Sequence, residues 1–204
     1  LAVSDIYGDS AVIEVKNGIY NVFHSDNFKV MTNQPDYDTQ ILLNMSARWQ
    51  WNEDNPFPTL NIPGGPFPTD RFQRASFYLD NLTEAESMAE SIAQSRSIAA
   101  NTSVPLSFVL PNKKGIKVSE TQWSSVGDHN HQIYYFYNTR TQDVCYCSLS
   151  DIDFVDDVFK LELIEKLKGD YVQHAIAGLV NPILKVASDP FMSQLDMNDN
   201  KFIA

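Results

Sequence analysis

The chain has 204 residues, 15 of them Lys or Arg and 26 Asp or Glu, for a formal charge of −11. Its 43% hydrophobic and 12% aromatic content excludes a disordered polymer, and no apolar run approaches the ~18 residues of a membrane span. The negative charge repels nucleic acid and anionic lipid, and the nearest basic cluster, Lys113-Lys114, reads as a turn between Pro111-Asn112 and Gly115.

Leu1 to Tyr7 lacks the basic start and apolar core of a signal peptide, and a first residue of Leu rather than Met implies upstream sequence beyond the chain. Ser10 to Val15 is predicted as a strand, Lys16-Asn17-Gly18 as a turn and Ile19 to Phe23 as a second strand, because Asn-Gly between apolar runs is the strongest short hairpin signal. Ile19, Asn21 and Phe23 fall on one face, Tyr20 and Val22 on the other. A third strand is expected over Phe28 to Thr32, leaving Asn33 at a strand end.

Pro35 suits the first turn of a helix, with Asp36 and Asp38 near its positive end, and that helix is predicted to run through Ile41, Leu42, Met45 and Trp49. Residues 52 to 70 hold five prolines and Gly64-Gly65, an unusually long loop that is expected to line a site. Thr69 or Asp70 is expected to cap the next helix, with Phe72, Ala75, Phe77 and Tyr78 as its buried stripe. Thr83 to Glu86 matches a capping box for a helix ending near Ala100. An antiparallel meander follows over Thr121 to Val126, His131 to Tyr137 and Asp143 to Leu149. Helical spacing returns with Leu161, Ile164 and Leu167, and a last helix is expected from Tyr171 to Leu179. The chain reads as one domain over 1–204, with 158–204 as a helical extension.

The chemistry-bearing residues are few. Cys145 and Cys147 lie on one strand face, where a bridge between them is strained, and read as free thiols packed as small hydrophobes. Four histidines are scattered; His129-Asn130-His131 has a metal-binding spacing, but only Asp128 stands near it, so the residues read as turn and no metal is expected. No G-x-S-x-G elbow or phosphate loop is present, and the aromatic run Tyr134 to Tyr137 reads as cross-strand packing. Two polar stations remain. Thr32-Asn33-Gln34-Pro35 places an amide at the end of an apolar run, and Asp70-Arg71-Phe72 places a guanidinium where a helix opens. Such groups can converge on an oxyanion or a carboxylate, while the bland readings are a turn Asn and an Arg paired with Asp70.

The order Asp9 to Glu14, Val30-Met31-Thr32-Asn33-Gln34-Pro35-Asp36-Tyr37-Asp38, Ile62-Pro63-Gly64-Gly65 and Asp70-Arg71-Phe72-Gln73-Arg74-Ala75-Ser76-Phe77 resembles the choloylglycine hydrolase family, the bile salt hydrolases and penicillin V acylases. Thr121, Trp123, Asp128 and Tyr134-Tyr135-Phe136 stand in the same order, so that the likeness covers roughly residues 5 to 155. The resemblance implies an α+β fold, the αββα sandwich of N-terminal-nucleophile hydrolases, incomplete in this chain. It also implies hydrolysis of a linear amide through an N-terminal cysteine whose α-amino group is the base, on a small N-acyl amide and without a cofactor. Asn33 then matches the oxyanion donor and Arg71 the residue that organises the electrostatics, with Arg74 the alternative one turn on. The nucleophilic Cys and the Arg and Asp behind it have no counterpart in the 204 residues. They are expected on an N-terminal segment of the same enzyme, so this chain alone is expected to be inactive. The rival reading is a binding or scaffold domain that kept the fold without the chemistry; self-association and compartment stay open.

Overall fold

The computed structural model describes residues 1–25, 28–52, 54–56, 61–110, 119–139, 144–154, 159–160 and 177–186. The chain opens with a three-stranded antiparallel sheet, β1 (Ala2–Ser4), β2 (Ser10–Lys16) and β3 (Ile19–His24), in that order. The β2–β3 hairpin closes at Lys16 opposite Ile19, with Asn17 and Gly18 at φ 54° and 76°. Both positive values are what a two-residue turn matched to strand twist demands, and Asn and Gly tolerate them best. Val12 and Phe23 face inward, while Val15, Tyr20 and Val22 are exposed. The third strand expected over residues 28 to 32 forms no ladder among the described residues; Phe28 and Val30 instead pack on the core as irregular chain.

Helix α1 (Tyr37–Arg48) begins two residues after Pro35, whose peptide bond with Gln34 is cis. Glu14 on β2 accepts from the Tyr37 backbone N–H at 3.0 Å, and so satisfies one of the donors a helix start leaves open. The helix runs through Ile41, Leu42 and Met45 as expected, with Trp49 just past its end; its buried face is Tyr37, Gln40, Asn44 and Ala47, while Leu42, Met45 and Trp49 are exposed. Polar residues share this face because Tyr37 enters the aromatic core and Gln40 has buried polar partners.

Helix α2 (Pro68–Asp80) starts ahead of Thr69, with Pro68 in its first turn, where a missing N–H costs nothing. Its buried residues are Phe72, Arg74, Ala75 and Ser76, so Phe72 and Ala75 sit as expected, whereas Phe77 and Tyr78 are half-buried. Helix α3 (Met88–Asn101) is capped by Ser87, whose hydroxyl accepts from Glu90 N at 3.2 Å, while Glu90 accepts from Glu86 N at 2.7 Å. The box is therefore Ser87 to Glu90, one register after the expected Thr83 to Glu86; the sequence carries the pattern twice.

Val12, Tyr37 and Phe72 form the core cluster, flanked by Phe23, Phe28, Val30 and Ile41. Tyr37 meets Phe23 edge-on at 4.8 Å and Phe72 at 6.1 Å between ring centres, contacts worth about 0.5–1.5 kcal/mol each beyond burial. They hold α1 and α2 against the first sheet. Arg48 and Asp80, paired through two hydrogen bonds, join the far ends of the two helices.

The meander is β4 (Trp123–Asp128), β5 (Ile133–Asn138) and β6 (Val144–Ser148), antiparallel throughout, with α3 against β4. Trp123 stacks on Phe136 at 5.5 Å and Tyr135 meets Tyr146 at 5.6 Å, the cross-strand packing expected of the aromatic run. The expected helical extension is corrected where it is described. β7 (Phe159–Lys160) pairs with β9 (Lys185–Val186), and β8 (Gly178–Leu179) runs parallel to β6 where the last helix was expected to end. The rest of that expectation, with the Lys113-Lys114 turn, lies outside the described residues. Among the described residues no helix is long and apolar enough to cross a membrane.

Candidate active site

The loop between the core segment and α1 carries Asn33, and the first turn of α2 carries Arg71. Tyr37 and Phe72 follow them closely in sequence and pack together, which sets the loop beside the helix start. Arg71 Nη2 donates to Asn33 Oδ1 at 3.0 Å. A guanidinium has donors only, so it fixes which end of the amide faces it: Asn33 presents its oxygen to Arg71 and turns its Nδ2 donors away. The Asn33 side chain is exposed, and Nδ2 has no partner among the described residues. The two stations the sequence singles out are thus one contact.

Arg71 is half-buried, and burial, then the neighbouring Arg74 charge, pushes its pKa down. Its Nε is buried with no acceptor among the described residues, and no carboxylate there lies within ion-pair distance, Asp70 included. Asp70 instead lies against Gly65, where a Cβ would fall 2.0 Å from its carboxylate. Arg74 is buried and donates to three carbonyls, Pro63 at 2.6 Å, Gly65 at 2.8 Å and Asn101 at 2.9 Å. It ties the proline-rich loop to α2 and α3 and takes no part in the Asn33 contact.

The sequence did not single out Gln40. Its side chain is buried at 2% exposure and bonds the backbone of the Asn33 loop at Thr32 and Pro35. The available signal was its place one turn after Tyr37 on the same helix, directly after the polar station.

Cys145 is buried and Cys147 half-buried, both unbridged, and burial pushes both thiols up, away from the thiolate form. His129 bonds Asp5 O through Nδ1 at 2.9 Å, with Nε2 3.4 Å from Ser4 Oγ, which joins the two sheets, and His131 pairs with Asp128 at 2.8 Å. Among the described residues no three His, Cys, Asp or Glu side chains group as metal ligands. A cavity of about 420 Å³ between α1 and α2, bounded by Phe28, Tyr37 and Phe72, is lined by neither Asn33 nor Arg71. Asn33 is exposed and Arg71 half-buried; their donors can stabilise negative charge, but neither side chain is a nucleophile.

The family model for linear amide C–N hydrolases, choloylglycine hydrolase family, matches residues 1–161. Penicillin V acylase of Pectobacterium atrosepticum is 34% identical over 76% of this chain and 42% of its own length. The structure of penicillin V acylase from Agrobacterium tumefaciens superposes with a TM-score of 0.70 and 33% identity, covering 89% of this chain and 54% of that one. A conjugated bile acid hydrolase variant from Clostridium perfringens gives 0.55 and 22% over 74% and 50%, a likeness of fold. The antiparallel sheets and helices of this chain are those of the N-terminal-nucleophile hydrolase sandwich. The chain spans about half the length of the relatives it matches.

Proposed function

The chain belongs to the choloylglycine hydrolase family of linear amide C–N hydrolases, and on that premise we propose that its 204 residues contribute the oxyanion side of an amidase site acting on a small N-acyl amide. The observation that carries the proposal is the Arg71 to Asn33 bond, which leaves the Asn33 Nδ2 donors open. A cysteine thiolate attacks the amide carbonyl carbon, and the π electrons move onto oxygen. Asn33 Nδ2 donates to that oxyanion, where a donor fixed beforehand contributes most. The oxyanion then collapses to a carbonyl as the C–N bond breaks, the amine leaves with the proton that the cysteine's α-amino group took from its thiol, and water cleaves the thioester to acid and thiol.

The nucleophile is a cysteine outside these residues, because Cys145 and Cys147 are internal and their thiols are held protonated. Residues 1–204 alone therefore bind without turnover. The described part of the proline-rich loop, residues 61–67, anchored at Pro63 and Gly65 by Arg74, lines the substrate pocket, and the substrate is a conjugated bile acid, penicillin V or a related N-acyl compound. The rival is a domain that keeps this fold for binding alone; the same protonated thiols favour it.

The test is to assay the complete gene product containing these residues on penicillin V, glycine- and taurine-conjugated bile acids and N-acyl amino acids. Release of free amine with acyl label on a cysteine outside residues 1–204 supports the proposal. No release from any substrate, with no cysteine-first segment encoded upstream, establishes the binding domain instead.

A further inference from the structure

A buried amide is stable only when its hydrogen bonds are made, and those of Gln40 all go to one short stretch. Nε2 donates to the Thr32 carbonyl at 3.3 Å and the Pro35 carbonyl at 2.5 Å, while Oε1 accepts from the Thr32 hydroxyl. One side chain thus grips the backbone on both sides of Asn33. The Thr32 hydroxyl is shared with the carbonyl of Pro68 at 3.1 Å, and Pro68 opens the helix whose first turn carries Arg71. The same network therefore reaches both partners of the Asn33–Arg71 bond.

We propose that Gln40, acting through Thr32, is the positioning residue that sets the direction of the Asn33 amide. Gln40 itself is covered by protein and does not meet substrate. Asn44, one turn further along the same buried face, is the internal contrast: it is also buried, but among the described residues its Oδ1 has no partner and it bonds nothing in the loop. A buried amide on α1 is thus not by itself a clamp. The kinetic consequence rests on Asn33 being the oxyanion donor; the geometric one does not.

The experiment compares Gln40→Met, Thr32→Val, Thr32→Ser and Asn44→Ala in the complete gene product, reading the side-chain amide resonances of Asn33 by ¹⁵N NMR together with kcat and KM. Gln40→Met and Thr32→Val are expected to move or broaden the Asn33 Nδ2 signals and to lower kcat by about 10- to 100-fold, with KM within about twofold. Thr32→Ser, which keeps the hydroxyl, retains both signals and rate, and Asn44→Ala leaves the Asn33 signals in place even if it destabilises the fold. Should Gln40→Met not fold, the Thr32 pair decides by the same readings. Unchanged Asn33 signals in Gln40→Met or Thr32→Val, or an equal disturbance in Asn44→Ala, overturn the proposal. If the Asn33 signals move but no form hydrolyses an amide, the clamp stands and the amidase reading falls.

Discussion

Arg71 donates to Asn33 Oδ1 across 38 positions of sequence, at 3.0 Å, a bond that occupies the amide oxygen and leaves the Nδ2 donors facing away from it. It converts a turn residue into a directed donor. A carboxylate partner for Arg71 is absent among the described residues, and Asp70 lies against Gly65 instead.

Arg71→Lys keeps the charge but loses the planar fork that holds Asn33. The expected result in the complete gene product is a kcat lower by about 10- to 100-fold. Stability should stay within about 1 kcal/mol by urea denaturation, because only one hydrogen bond is lost and the unpartnered Nε goes with it.

Arg74 should behave in the opposite way. Its three carbonyl partners are left open in Arg74→Met, and an expected loss of about 2–4 kcal/mol follows from stranding buried acceptors. Urea melts of the isolated chain measure it. A comparable loss in Arg71→Met would mean that both arginines are structural.

The contrast between these helices shows what the sequence could and could not reveal. The β2–β3 hairpin was legible because Asn17-Gly18 is a local signal, complete in two residues. Asn33 and Arg71 were legible as polar stations, though Asn33 lies in irregular chain and not at the expected strand end, and their contact depends on Tyr37 packing on Phe72, which no local pattern carries. The buried face of α1 was not legible for a related reason: Gln40 is polar by composition and becomes a core residue only through partners in the loop before it. Ser87 was missed as the cap because two consecutive boxes, Thr83 to Glu86 and Ser87 to Glu90, compete and only packing chooses. Likewise β8 is a strand only because β6 lies beside it.

Asp128 gives the acid limb of stability a specific contributor. Burial opposes its ionisation, but the His131 backbone N–H, the His131 ring and the Asn130 N–H outweigh burial and lower its pKa. A carboxylate depressed in the folded state stabilises above its unfolded pKa of about 3.9, and that contribution fades as pH falls through the folded value. Thermal melts between about pH 2 and pH 6 should show a shallower acid loss for Asp128→Asn than for wild type. Parallel curves would contradict the assignment.

Cys145 and Cys147 are expected to react with a disulfide probe at neutral pH at least about tenfold more slowly than in the unfolded chain, since only the thiolate is nucleophilic. Peptide mapping of an acyl-trapped complete gene product should leave both unlabelled.

The most direct measurement is kcat of the complete gene product with Asn33→Ala on its best N-acyl amide substrate, beside a melt of the same variant. Asn33 is exposed, so the melt should move little, while removal of one oxyanion donor is expected to lower kcat by about 100- to 1000-fold. A wild-type kcat in a folded Asn33→Ala variant contradicts the oxyanion role on which the account stands.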